Sequence, residues 1–244
     1  MKSIFVSDTH IKFKECPEDK LRSALFLDFL HSLKGNTDLL VLNGDIFDLW
    51  LAWKHVIIRE YFPVLTALAE LSQNGTRIVM TPGNHDFWFG DFLKSQIGIE
   101  ICTKSFIENI DGKEFFIDHG DRFTKNDLRY HIFRSIVRNN FVKNIFASLH
   151  PDLALEFGIK LSRSSRKRRI PLKKRELMVN SLQKAAFNLL STHNYDFVIF
   201  SHSHVPVLLT NENGIYANTG DWITNYSFLE FSAGVLTLKY YKNL

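Results

Sequence analysis

Five short polar clusters each close an apolar, strand-like run: SDTH (7–10), NGDIFD (43–48), GNHD (83–86), DHGD (118–121) and SHSH (201–204). Between the first three lie helical patterns. Ile4 to Ser7 reads as a strand; Leu21, Leu25, Phe29 and Leu33 then recur at helical spacing, with Gly35 as a stop. Leu39 to Leu42 reads as the next strand, residues 56–73 as a second helix and Arg77 to Thr81 as a third strand. This βαβα order predicts a layered α/β fold. Ligand sites in open α/β sheets lie beyond the carboxyl ends of the strands, so all five clusters can converge on one edge.

Around residues 99–118 and 206–241 strand signals follow one another without helices, which predicts antiparallel additions and a second sheet. Residues 127–193 break the rhythm. Ile132, Phe133, Ile136, Val137, Phe141, Ile145, Phe146 and Leu149 form a broad apolar helical stripe, and another helical pattern follows from about 174. The expected arrangement is a single domain over residues 1–244 with a helical insertion at about 125–193. The bland role for the insertion's aromatics is ordinary packing onto the sheet.

Composition narrows the partners. At 244 residues and 45% hydrophobic, the chain is long enough for one sizeable core. No run approaches the roughly 20 apolar residues of a membrane span, and the first residues lack a signal-peptide pattern. Two cysteines, Cys16 and Cys102, have no paired spacing, which fits a reducing cytoplasm. The net charge of +4 hides an asymmetry: residues 163–175 hold eight Lys or Arg and no acid, leaving 22 basic against 26 acidic residues elsewhere. An anionic partner is therefore met by one local element, or the run is a solvated charge stretch. A nucleic-acid partner is not expected, and the oligomeric state is left open.

Taken singly, each cluster reads as well as a turn or a surface histidine. Jointly they do not. Asp8-x-His10 and His202-x-His204 each place two donors on one side of an extended segment, and five of the ten histidines sit in these clusters. Carboxylate, imidazole and amide donors without Cys suit Mn, Fe or Zn.

The ordered pattern D-x-H, G-D, G-N-H, H and H-x-H resembles the calcineurin-like metallophosphoesterase superfamily. That resemblance implies a two-layered β-sandwich flanked by helices and two divalent metal ions. Asp8, His10, Asp45 and His204 would hold one ion; Asp45, Asn84, His119 and His202 would hold the other, with Asp45 bridging. Such a pair activates a water and clamps phosphoryl oxygens during in-line displacement. His85 would then stabilise the phosphoryl group or protonate the leaving oxygen. Asp86 either orients that imidazole or serves as a turn residue.

NGDIFDLW, GNHDFWFGDFL, HGDRF with DLRYHIFR, and NTGDW further resemble the UDP-2,3-diacylglucosamine hydrolase family of lipid A biosynthesis. The resemblance implies cleavage of a lipid-linked UDP-sugar to UMP and 2,3-diacylglucosamine 1-phosphate, with manganese as the usual cofactor. Asn84, His85, His202, Asp127 and Tyr130 would contact substrate, and Arg163, Ser165, Arg166 and Lys167 fall near the family's basic contacts. One departure is His85, where the best-known branch carries Arg. An apolar insertion can enclose acyl chains, and the basic run can face an anionic inner-membrane surface, giving a peripheral protein on its cytoplasmic side. The alternative is a metallophosphodiesterase acting on nucleotides, nucleic acid or another small phosphoester.

Overall fold

The computed structural model describes residues 1–124, 128–166 and 171–241. Strands β1 (Ser3–Val6), β2 (Leu39–Asn43), β3 (Arg77–Thr81) and β4 (Ile99–Ile101) run parallel in one sheet. Its other edge is an antiparallel hairpin, β10 (Ser227–Ser232) and β11 (Val235–Tyr240), with β10 beside β1. The strand order is β11-β10-β1-β2-β3-β4. The second sheet has the order β5-β6-β7-β9-β8: β5 (Phe106–Ile110), β6 (Lys113–Ile117), β7 (Phe197–Phe200), β9 (Gly214–Asn218) and β8 (Val207–Asn211). Here β6, β7 and β9 are parallel, and β5 and β8 close the edges antiparallel.

Alternation along the strands sets the layers. Phe5, Leu39, Val41 and Val79 face Phe115, Ile117, Phe197 and Ile199 between the sheets. Ile4, Val6, Leu40, Leu42, Ile78 and Met80 point the other way, onto helices α1 (Pro17–Leu33) and α2 (Phe62–Gln73). On the far side Phe116, Val198, Phe200 and Tyr216 meet Leu182, Ala186 and Leu190 of helix α6 (Leu172–Thr192). Strands covered on both faces read as continuous apolar runs, as LLVLN does. The result is the α/β, two-layered β-sandwich flanked by helices that the sequence implied.

Three local expectations change. Leu21 is exposed, and α1 buries Leu25, Phe26, Phe29, Leu30 and Leu33 instead. The helix expected over 56–73 starts only at a 3₁₀ turn, Arg59–Tyr61, followed by α2. Pro63 lacks the N–H that would bond the Arg59 carbonyl oxygen in a longer α-helix, so α2 starts at Phe62 and only the tighter 3₁₀ turn precedes it, with 56–58 outside. The single stripe expected over 132–149 is cut in two, α3 (Leu128–Val137) and α4 (Asn140–Ser148), because the Asn139 side chain accepts from the Phe141 N–H and caps a new helix. A further helix, α5 (Pro151–Arg166), was not anticipated.

The aromatics of this helical region divide: Phe187 of α6 packs onto the second sheet as expected, its ring centroid 6.2 Å from that of Tyr216, while others reach the loops instead. Phe146 lies against Trp88, with ring centroids 5.6 Å apart, and Gly158 abuts Leu49. The contacts thus reach the loops after β2 and β3. Phe141, Leu153 and Phe157 are 72%, 61% and 51% exposed, so a substantial apolar face remains in solvent.

Candidate metal centre

Every polar cluster follows a parallel strand. Asp8 and His10 follow β1, Asp45 follows β2, Asn84 and His85 follow β3, His119 follows β6, and His202 and His204 follow β7. Both sheets therefore deliver donors to one edge. The connections are tight: Asp8, His10, Asp45, His202 and His204 all have positive φ, between 46° and 65°. Non-glycine residues in that region are uncommon, and their concentration here marks backbone strained to aim side chains.

Three groups bring liganding atoms within 4.8 Å of one another: Asp8 with His10 and His204; His10 with Asp45 and His85; Asp8 with Asp45 and His119. Asp45 sits at the middle. Its Oδ2 lies 3.7 Å from His10 Nε2 and 3.5 Å from His119 Nε2, while its Oδ1 accepts from the His85 N–H at 2.9 Å. Asn84 Oδ1 is 3.2 Å from His119 Nε2. His202 is farther out, with its ring centroid 5.2 Å from that of His119. Asp8 Oδ2 accepts from Ser7 Oγ and from the His202 N–H, whereas Oδ1 is buried without a hydrogen-bond partner among the described residues. A bare carboxylate oxygen facing His10 and His204 at 3.7 and 3.5 Å fits a cation, and no thiolate is near.

The loops have no room to spare. A Cβ added to Gly83 would lie 2.1 Å from Asp45 Oδ1, so the two loops meet backbone against side chain. Asp86 is what holds them. Its carboxylate accepts from the N–H groups of Gly83, Asp45, Ile46 and Phe47. Of the two roles open to Asp86, this is the turn residue's and not that of a partner to the His85 ring. That ring is held by the Asp48 carbonyl oxygen, 3.0 Å from His85 Nδ1. With Nδ1–H donating there, neutral His85 presents a lone pair at Nε2; burial lowers its pKa to about 4, which opposes the second proton that an acid would need.

Burial pushes the Asp45 carboxyl up, but His119, His85 and His10 outweigh this and hold it well below the ordinary range. For His119 burial acts downward, and the charges of Asp45 and Asp8 overcome it, holding the imidazole well above 6.5. The raised value stabilises the metal-free fold fully below pH 6.5, a contribution lost as pH rises through the folded pKa. A cation competes with that proton for Nε2, so metal affinity has the opposite slope. Calorimetric titration is expected to show affinity rising about tenfold per pH unit above neutrality until His119 is deprotonated, with proton release. Affinity independent of pH would refute this.

A model of the calcineurin-like phosphoesterase family matches residues 1–206. The chain belongs to that family. Its members are metal-dependent hydrolases, in keeping with the donor cluster. Curated relatives include the UDP-2,3-diacylglucosamine hydrolase of Porphyromonas gingivalis, 27% identical over 98% of this chain and 97% of that protein. The enzyme of the same name from Psychromonas ingrahamii is 25% identical over 98% of this chain and 96% of its own. Among solved structures, an archaeal phosphodiesterase aligns over 98% of this chain and 99% of its own, with TM-score 0.50 and 16% identity. The Escherichia coli phosphoesterase Yfce aligns over 100% and 94%, also with TM-score 0.50, at 15% identity. These likenesses speak for the fold.

The residues expected to touch substrate outside the centre are spread differently. Asp127 and Lys167 lie outside the described residues. Tyr130 falls on α3, and Arg163, Ser165 and Arg166 on the last turns of α5. Sequence reasoning passed over Asp221, whose Oδ2 lies 3.2 Å from His204 Nδ1 and whose Oδ1 accepts from the N–H groups of Ile223, Thr224 and Asn225. The only signal was its place in NTGDW. Arg134 of α3 and Arg138 just beyond its end were also missed; they pair with Asp121 and donate to the Gly83 carbonyl oxygen respectively, tying the end of the helix to the GNHD loop.

Proposed function

We propose that this chain hydrolyses the pyrophosphate bond of UDP-2,3-diacylglucosamine, releasing UMP and 2,3-diacylglucosamine 1-phosphate. The observation that carries the reading is the near end-to-end match to relatives that bear this name. Support also comes from an apolar helical face beside the donor cluster, which suits a substrate with two acyl chains. In this reading the domain is one unit, with residues of about 125–193 as its insertion.

The donors fit two divalent ions, one held by Asp8, His10, Asp45 and His204 and the other by Asp45, Asn84, His119 and His202. Manganese is the ion expected, over iron or zinc. Bound there, the pair supplies the charge that polarises a phosphoryl oxygen and activates water. The chain's own share is to hold these atoms rigidly and to place His85 beside the phosphoryl group. His85 and Asn84, on the loop that Arg138 braces from just beyond α3, contact the phosphates, as does His202. Asp127, Tyr130, Arg163, Ser165, Arg166 and Lys167 extend that contact toward the rest of the substrate.

The deciding experiment is UMP release from UDP-2,3-diacylglucosamine with Mn²⁺ and detergent, beside bis(p-nitrophenyl) phosphate. Rapid UMP release is the expected result. Turnover of the generic diester alone would sink the lipid substrate and leave the general phosphodiesterase reading.

The same reading puts the protein in the cytoplasm, peripheral on the inner membrane. No helix among the described residues is long and apolar enough to cross a membrane. Exposed Phe141, Leu153 and Leu172 accompany the basic Lys173, Lys174 and Arg175. The chain is expected to float with anionic liposomes. At about 1 kcal/mol per basic side chain, neutralising Arg166, Lys167, Arg168 and Arg169 should move it to the unbound fraction. Failure of the unaltered protein to float would end the membrane reading.

A further inference from the structure

Beneath the donor cluster, a line of buried polar side chains crosses from one sheet to the other. Ser7 Oγ donates to Asp8 Oδ2 at 2.5 Å and lies 2.6 Å from Thr219 Oγ1. Thr219 Oγ1 lies 2.9 Å from Ser201 Oγ, which accepts from Asn43 Nδ2 at 2.8 Å. All four residues are at most 1% exposed. Ser7 and Asn43 belong to the β1 and β2 ends of the first sheet, and Ser201 and Thr219 follow β7 and β9 of the second.

Proton counting gives the line a direction. Asn43 Nδ2 also donates to the Asp118 carbonyl oxygen at 2.9 Å, and its Oδ1 accepts from the Thr81 hydroxyl at 2.8 Å, so the amide can be oriented only one way. Each hydroxyl has a single proton. The proton of Ser7 goes to the Asp8 carboxylate, which only accepts; that of Thr219 must then go to Ser7, and that of Ser201 to Thr219. Every donor points toward Asp8. At the opposite end, outside the side-chain line, the backbone carbonyl oxygen of Asn43 lies 2.9 Å from His119 Nδ1, which donates to it.

We propose that Asn43, Ser201, Thr219 and Ser7 are positioning residues: a directed hydrogen-bond chain that starts at the Asn43 side-chain amide fixes Asp8, and the backbone of the same Asn43 fixes His119, one liganding atom at each end of the metal centre. At one end Asp8 Oδ2 is filled by Ser7 and the His202 N–H, which leaves Oδ1 as the only atom free to bind an ion. At the other, the bond to Asn43 fixes the His119 ring with Nε2 toward Asp45. Linked hydrogen bonds in a buried setting polarise one another, so loss of one link is felt along the line. The inference rests on the reading that this cluster binds divalent ions, and it assigns a role to Thr219 of the NTGDW run.

The test compares Thr219→Val, which keeps the shape and removes the hydroxyl, with Thr219→Ser, which restores the hydroxyl. Chelator-stripped proteins are titrated calorimetrically with Mn²⁺ and, in parallel, Zn²⁺, and the melting temperature of the metal-free form is recorded. Groups that support metal ligands typically contribute 10–100-fold to affinity, so T219V should weaken at least one binding step by about that factor while T219S stays within about threefold of the unaltered chain. Should T219V fail to fold, Ser201→Ala breaks the next link and is expected to give the same loss. A variant that melts lower without metal but binds both ions as tightly as the unaltered chain would overturn the inference alone, since a purely structural role predicts that outcome. An unaltered chain that binds neither ion would overturn the reading of the centre and the inference with it.

Discussion

Replacing Asp45 by Asn is expected to lower kcat by about 10³-fold or more, equivalent to at least about 4 kcal/mol of transition-state stabilisation. The reason is position. Asp45 Oδ2 faces His10 on one side and His119 on the other, within 3.7 Å of both. The amide keeps the Oδ1 acceptor for the His85 N–H but offers a neutral oxygen or an N–H₂ group where the carboxylate faced both donor sets. Activity on a generic phosphodiester and metal content by plasma mass spectrometry should fall together. A variant with full metal content and ordinary turnover would show that the centre does not depend on a shared carboxylate.

The second large effect concerns a residue that touches no metal. Asp86→Ala is expected to destabilise the metal-free protein by about 4 kcal/mol, because it strands the buried N–H groups of Asp45, Ile46 and Phe47, each worth roughly 1–3 kcal/mol if unsatisfied, with water recovering part of the loss. The Gly83 N–H keeps the residue 86 carbonyl oxygen. For a chain of this length that corresponds to a fall of about 8–16 °C in melting temperature. Asp86→Asn retains one acceptor and should lose about half as much. Melting followed in chelator isolates this from metal linkage. A shift of only a degree or two would mean that the loops around Asp45 hold their shape without Asp86.

The sheets and their flanking helices were legible because their signals are local. The apolar runs LLVLN and RIVMT are each legible in five residues, and α1 announces its core face through Leu25, Phe29 and Leu33. The donor clusters were legible because strands end where side chains must converge. What was hidden depends on partners far away in sequence. Asp86 reads like a turn residue until Ile46 and Phe47 are seen donating to it. Thr219 and Asn43 read as filler until Ser201 connects them. The helical region misled for another reason: its apolar stripe predicts burial, and Ile132, Ile136 and Phe141 are exposed. Periodicity reports that a helix has two faces, and it is silent about what covers them.

The pairing of the first sheet bears on how the molecule comes into being. Strand β1 is flanked by β2 on one side and by β10 on the other, with Ser3 opposite Phe231. A ribosome delivers Asp8 and His10 long before His202, His204 and the strand that shields β1. Loop closure over that span is slow and entropically demanding. Over that interval the nascent polypeptide carries a hydrophobic strand with one open edge and an unfinished set of donors. The donor set is complete only once the turn after β7 has been made.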